Sequence, residues 1–152
     1  MSEVLFRGKR TDNGEWVEGL LYKTSEHTYI GYTGNFDDCD LFYSPETIFV
    51  EVIPESVGQF TLLYGNYGKM IYEGDIVKAD DYIFEVKFGK CGGVANVEDY
   101  GYMGFYLEPY SESTKLSAKY GLRNDICYFI DIEVIGNIYD SPELLKGAKN
   151  NG

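Results

Sequence analysis

The stretch Tyr82-Ile83-Phe84-Glu85-Val86-Lys87-Phe88 decides how this chain is read. Tyr82, Phe84, Val86 and Phe88 fall on one side of an extended backbone, and Glu85 and Lys87 fall on the other. A period of two belongs to a strand covered on one face and wet on the other. An amphipathic helix would repeat its apolar residues every three to four positions instead.

The same period recurs outward from this point. In Thr47 to Ile53, Ile48, Val50 and Val52 point one way and Glu51 the other, until Pro54, which cannot donate a ladder hydrogen bond, ends the run. Residues 3–10 and 15–23 flank Asp12-Asn13-Gly14, a hairpin signal because Asn-Gly tolerates positive φ. In the second of these segments Trp16, Glu18, Leu20 and Tyr22 share one face, and Val17, Gly19 and Leu21 share the other. Trp16 is expected to be buried beside the hairpin, on the face it shares with Leu20. Further strands are predicted over 28–32, after the polar turn Ser25-Glu26-His27, and over 57–63, 76–78, 94–99 and 103–109. Residues 126–139 form an apolar, β-branched run with Ile130, Ile132, Val134 and Ile138 aligned, and Gly136 within it marks a bulge or a close backbone approach.

Helical signals are confined to short pieces. Residues 111–120 carry weak helical character with Gly121 as a stop. Ser141-Pro142-Glu143 sets a capping hydroxyl, a first-turn proline and an acidic first turn in order. At least eight short strands, with turn signals every eight to twelve residues, predict a mostly-β, antiparallel meander folded as a sandwich or small barrel. No alternation of strands with long helices supports a parallel α/β sheet. The turn cluster Tyr64-Gly65-Asn66-Tyr67-Gly68 is the expected division between two small parts, 1–64 and 65–145, with 146–152 as a flexible tail.

Composition narrows the function classes. The 152 residues include 15 Tyr, 9 Phe and 18 Gly but only 4 Pro, which suits short strands joined by tight turns and not a disordered chain. Thirteen basic residues stand against 25 acidic ones, for a net charge of −12. Nucleic-acid binders displace counterions with Lys and Arg, so direct nucleic-acid binding is not expected, and neither is an anionic membrane surface. The 3 cysteines, at 39, 91 and 127, are odd in number and form no C-x-x-C, which fits a reducing compartment and argues against a disulfide framework or zinc knuckle. Met1 to Arg7 has no basic-then-apolar leader pattern, and no apolar stretch nears the length of a membrane span, so a cytoplasmic location is expected.

Catalytic and ligand patterns are sparse. His27 is the sole histidine and sits in a polar turn, where a surface role outweighs a catalytic one. Asp37-Asp38-Cys39-Asp40 could offer carboxylates to a hard cation, but it lacks the glycine and terminal glutamate of an EF-hand loop. Asp80-Asp81 and Glu98-Asp99 are further carboxylate pairs, whose use in hydrolysis depends on separations in space. Gly65-Asn66-Tyr67-Gly68-Lys69 and Gly89-Lys90-Cys91-Gly92-Gly93 fail the phosphate-loop pattern and read as turns. Glu73-Gly74-Asp75 reads as a turn entering a strand, with Gly taking a strained φ and Asp bonding the local backbone. Tyr100, Tyr102, Phe105 and Tyr106, interleaved with glycines, are a candidate interaction surface, set against the plainer reading that alternate aromatics fill the core. No catalytic residue, metal ligand or cofactor site emerges from these patterns.

Three blocks carry a family resemblance. They are Phe6-Arg7-Gly8-Lys9-Arg10 with Asp12 to Val17, including Trp16, and Gly19; Val57-Gly58-Gln59-Phe60-Thr61 with Gly68-Lys69 and Ile71 to Val77, including Gly74 and Asp75; and Glu133 to Tyr139, including Gly136 and Asn137, with Ser141-Pro142-Glu143-Leu144-Leu145. In this order they resemble the YopX family of phage- and prophage-encoded proteins. The resemblance implies a two-part β architecture whose second part is like an SH3-type barrel, and a gene carried by a mobile element. It implies no activity, and it assigns these motif residues a structural role. The chain departs from the family at Tyr64 to Gly68, where the family usually has an Asn-Gly turn. The expectation is a non-enzymatic accessory protein that binds a host or phage protein, with self-association open. The alternatives are a hydrolase built on Asp and Glu carboxylates, or an acidic nucleic-acid mimic that blocks a DNA-binding host factor.

Overall fold

The computed structural model describes residues 4–33, 47–79, 82–91, 102–109 and 131–145. The described chain is mostly β, and every strand pairing is antiparallel. It divides into two compact units, Met1–Phe60 and Thr61–Gly152. The turn cluster at Tyr64 to Gly68 follows shortly after this division. The expected strand at 94–99, the expected helix at 111–120 and the expected tail at 146–152 lie outside the described residues.

The first unit is a meander. Strands β1 (Phe6–Lys9), β2 (Trp16–Lys23), β3 (Thr28–Thr33) and β4 (Thr47–Glu51) pair in sequence, and Gly58 and Gln59 at the start of β5 (Gly58–Tyr64) pair with Arg7 and Phe6 on the other side of β1. The hairpin between β1 and β2 turns at Gly14, with φ 72°, as the Asn-Gly pair predicts. Past β4 the chain curls back on the start of the meander. Val52 bridges Arg10, Ile53 N–H donates to the Lys9 carbonyl at 2.8 Å, and Val52 N–H donates to the Thr28 carbonyl at 2.9 Å. Pro54–Ser56 then form a single 3-10 turn, as the strand-ending role of Pro54 leads one to expect. Buried Ser56 plugs it: its hydroxyl accepts from Lys9 N–H and donates to the Ile53 carbonyl.

Tight curling needs strands that approach without side chains between them. A Cβ on Gly19 would run into the Gly31 carbonyl, and a Cβ on Gly31 would meet the Phe49 ring at 2.7 Å. The small interior holds Ile30, Val52 and Phe60, with Thr28 beside them in the buried set.

The second unit holds the later residues of β5, then β6 (Met70–Tyr72), and a four-stranded sheet ordered β10-β7-β8-β9. Its strands are β7 (Asp75–Ala79), β8 (Tyr82–Cys91), β9 (Tyr102–Pro109) and β10 (Ile132–Asn137). Ile71, Val77, Ala79, Phe84, Val86, Leu107 and Ile132 form one buried cluster. The alternation of β8 therefore holds at its centre, where Phe84 and Val86 are buried. Tyr82 and Phe88, at its ends, are exposed instead, because the strand runs past the cluster it covers. The Gly136 reading also holds: the register against β7 shifts between Val134 and Gly136, and a Cβ there would lie 2.9 Å from Leu144. A single helical turn follows Pro142, closed by Leu144 N–H to the Ser141 carbonyl and Leu145 N–H to the Pro142 carbonyl. Among the described residues this sheet is open and no barrel closes, since β9 and β10 stand at opposite edges of the order.

Candidate functional site

The outward face of the first unit is built by strand register. Directly paired residues in an antiparallel sheet share a face. Leu20 pairs Gly31, Gly31 pairs Phe49, Tyr22 pairs Tyr29, and Tyr29 pairs Glu51, so all of these lie on one face of β2, β3 and β4. The opposite, inward face carries Leu21, Ile30 and Val50. Because Gly31 has no side chain, the Phe49 ring lies across it and reaches Tyr22, with ring centroids 5.8 Å apart. Tyr22 also contacts Tyr29 at 6.4 Å, and Tyr29 contacts His27 at 6.2 Å. Leu20, Tyr22 and Phe49 remain 62%, 55% and 54% exposed. A carboxylate edge frames the cluster: Glu51 Oε1 sits 2.7 Å from His27 Nδ1, and Glu26 and Glu18 are exposed.

Trp16 belongs to this outward face, not to an interior. It pairs with Lys9, its ring lies 4.8 Å from the Arg7 guanidinium carbon and 6.0 Å from Lys9 Nζ, and it is half-buried. Sharing a face with Leu20 means sharing the exposed one. Both faces of β2 carry large apolar residues, and the glycines on the other side, Gly8 and Gly19, are what the meander curls around.

A second candidate is a cleft of about 220 Å³ in the second unit. The turn Tyr72-Glu73-Gly74-Asp75 forms as the sequence predicts: Gly74 has φ 90°, and buried Asp75 accepts from Tyr72 N–H at 2.8 Å. Gly74 N–H donates to the Val86 carbonyl and its own carbonyl accepts from Ile138 N–H, which fastens the turn to β8 and to the end of β10. Glu73 and Glu85 thereby line one cleft with Lys87, Phe88, Ile138 and Tyr139. Burial raises the Glu73 carboxyl above its ordinary value, and the Glu85 charge adds to the effect. Glu85 is likewise raised, first by burial; Lys87, 3.7 Å away, works against this, and Glu108, paired across on β9, works with it.

Two carboxyls that both titrate above the ordinary glutamate value suit proton donation and acceptance. Yet the cleft is smaller than the roughly 300–1,000 Å³ of small-molecule sites, and no serine, threonine, cysteine or histidine lines it. Among the described residues no group of three or more His, Cys, Asp and Glu is placed to hold a metal.

The sequence-derived candidates are scattered. Phe105 and Tyr106 are half-buried and alternate along β9: Phe105 pairs Phe88, with rings 5.0 Å apart, while Tyr106 pairs Lys87. They lie on opposite faces. Tyr102 pairs Cys91, and Tyr100 lies outside the described residues, as do Asp37 to Asp40, Asp80-Asp81, Glu98-Asp99, Cys39 and Cys127. The motif residues are engaged in shaping backbone. Phe6, Arg7, Gly8, Gly58 and Gln59 set the pairing of β1. Asn137 Oδ1 accepts from the N–H groups of Tyr139 and Asp140, and Pro142 opens the last turn. The outward aromatic cluster was missed because its members come from separate segments, and Phe49 joins them only through the gap at Gly31.

The family model described as YopX protein matches residues 5–146. The chain belongs to the YopX family. The match spans both units of this YopX protein and all three motif blocks. No curated protein and no solved structure matches it. No helix among the described residues of the YopX chain is long and apolar enough to cross a membrane.

Proposed function

We propose that this YopX protein is a non-enzymatic accessory factor, encoded by a phage or prophage and acting in the bacterial cytoplasm, that binds another protein through the outward face of β2, β3 and β4. The observation that carries the reading is the contiguous set Leu20, Tyr22 and Phe49, each more than half exposed and in register on one face. Tyrosine and phenylalanine give large contact area at low cost in side-chain entropy, which suits protein interfaces. The surrounding carboxylates and the net charge of −12 favour a partner with a basic rim, since such complementarity speeds encounter and is weakened by salt. The test is capture of partners by the full chain and by a Leu20→Ser/Tyr22→Ser/Phe49→Ser variant in the bacterium that carries the gene. The variant is expected to keep its melting temperature and lose the partner. Retention of the partner by a folded variant refutes this face.

A second reading rests on the cleft, where Glu73 and Glu85 both titrate high. It makes the protein a hydrolase of a small polar substrate, with one carboxyl as acid and the other as base. Turnover of a glycoside or ester panel that disappears in Glu73→Gln would favour this reading over the first.

A further inference from the structure

The tip of the first hairpin carries a chemically labile dipeptide. Asn13, Asn66 and Asn137 are the asparagines among the described residues, and of these Asn13 alone is followed by glycine. An asparagine side chain can be attacked by the backbone nitrogen of the next residue, which is one source of its thermal lability. A side chain on that next residue shields the nitrogen. Tyr67 and Ile138 carry such shields after Asn66 and Asn137, and Gly14 carries none. Asn13 and Gly14 are both exposed, so water reaches the site.

The closed hairpin holds each reacting group. Gly14 N–H donates to the Arg10 carbonyl at 3.1 Å, and Arg10 N–H donates to the Glu15 carbonyl at 2.9 Å. The Gly14 nitrogen must lose its proton to become a nucleophile, and losing it here would set a negative nitrogen against the Arg10 carbonyl oxygen. The Arg10 guanidinium grips the Asp12 carboxylate at 2.9 and 2.7 Å, which braces the loop further. The Asn13 side chain is turned toward Glu15: its Oδ1 accepts from Glu15 N–H at 2.9 Å, and its Nδ2 donates to Glu15 Oε2 at 3.3 Å. The bond to Oδ1 draws electron density from Cγ and by itself favours attack. It has no effect while the Gly14 proton is committed to Arg10, so the nitrogen decides the balance.

We infer that Asn13 is a latent modification site, kept as asparagine by the closed hairpin and converted to aspartate and isoaspartate when the hairpin opens. The conversion needs only water. Gly14 N gives its proton to hydroxide and bonds to Asn13 Cγ. The Cγ–Nδ2 bond breaks, and Nδ2 takes a proton from water and leaves as ammonia. Water then opens the cyclic imide. Cleavage of the new bond at Cγ gives aspartate, and cleavage at the Asn13 backbone carbonyl gives isoaspartate, with the chain rerouted through Cβ and Cγ. Nothing is oxidised or reduced. Either product adds a carboxylate between Asp12 and Glu15, and isoaspartate lengthens the main chain at the turn that sets Lys9 opposite Trp16. The modification is thus a lasting record of hairpin opening, and it depends on no partner at the outward face.

The test follows residue 13 by peptide mapping of the full chain at mildly alkaline pH, native and in guanidinium chloride beyond the unfolding transition. Conversion is expected to be at least about fivefold slower in the native chain, since a backbone hydrogen bond must open first. Both aspartate and isoaspartate are expected at position 13, while Asn66 and Asn137 stay asparagine over the same period. Equal rates in the two conditions, or a faster native rate, overturn the hold by the hairpin. No conversion in guanidinium, or aspartate without isoaspartate, overturns the cyclic-imide route. Conversion of Asn66 or Asn137 in guanidinium as fast as that of Asn13 overturns the choice of site.

Discussion

The two units answer the same problem, how to hold short strands together, by different means. The second covers one side of its sheet with a single apolar cluster that includes Phe84, Val86 and Leu107. The first has few large buried side chains, with Ile30, Val52 and Phe60 as its apolar core, and draws its backbone in tightly at Gly19 and Gly31. It leaves Leu20, Tyr22 and Phe49 outside. Both units leave large apolar residues outside, the second at Tyr82, Phe88 and Met103 among others; the candidate interface falls on the first because Leu20, Tyr22 and Phe49 lie in register on one face there.

Substitutions should separate the two modes. The largest effect is expected for Phe84→Ala, a full-size cavity in the cluster, at about 3–5 kcal/mol in denaturant unfolding. A cost below about 1 kcal/mol would mean that the cluster does not carry the second unit. Gly19→Ala in the first unit is expected to cost about 1–3 kcal/mol although it adds a single methyl, because the obstacle is a carbonyl that cannot rotate away. Fluorescence of Trp16, the one tryptophan, follows that unit directly. An unchanged unfolding midpoint would break the contrast.

The pH dependence sharpens the description of the second unit. The Glu73 carboxyl is raised in the folded state, so its favourable contribution is fully present below the ordinary glutamate value of about 4.3 and is lost as pH rises through the raised value. Glu73→Gln is therefore expected to melt higher than the parent at pH 7 and level with it at pH 4. A constant gap across this range would show that the carboxylate bears no burial penalty. The smallest effect is expected at Leu20→Ser, within about 0.5 kcal/mol, since an exposed side chain has little packing to lose. A larger loss would mean that the outward face is covered.

Much of the architecture was legible because it is local. Period-two alternation located β8 and β4, Asn13-Gly14 located the first hairpin, and Glu73-Gly74-Asp75 and Gly136 announced a turn and a bulge that backbone geometry confirms. The strand β6 was not singled out, since Met70–Tyr72 is too short to show a period. The candidate surfaces were less legible. Tyr102, Phe105 and Tyr106 are close in sequence, yet strand alternation sends Phe105 and Tyr106 to opposite faces.

The sequence by itself determined most of the described strands and several of their turns, because strand period, proline, and glycine at positive φ act within a few residues of themselves. Only the tertiary structure decided which face of β2 is outside. Trp16, Leu20 and Tyr22 were as apolar as Val17 and Leu21, and alternation is symmetric between the two faces. What broke the symmetry was distant in sequence: Gly31 lies against Gly19 on one side of the meander and lets Phe49 reach Tyr22 on the other. The convergence of Glu73 with Glu85 is of the same kind, since Gly74 must first bond Val86 before the two carboxyls share a cleft.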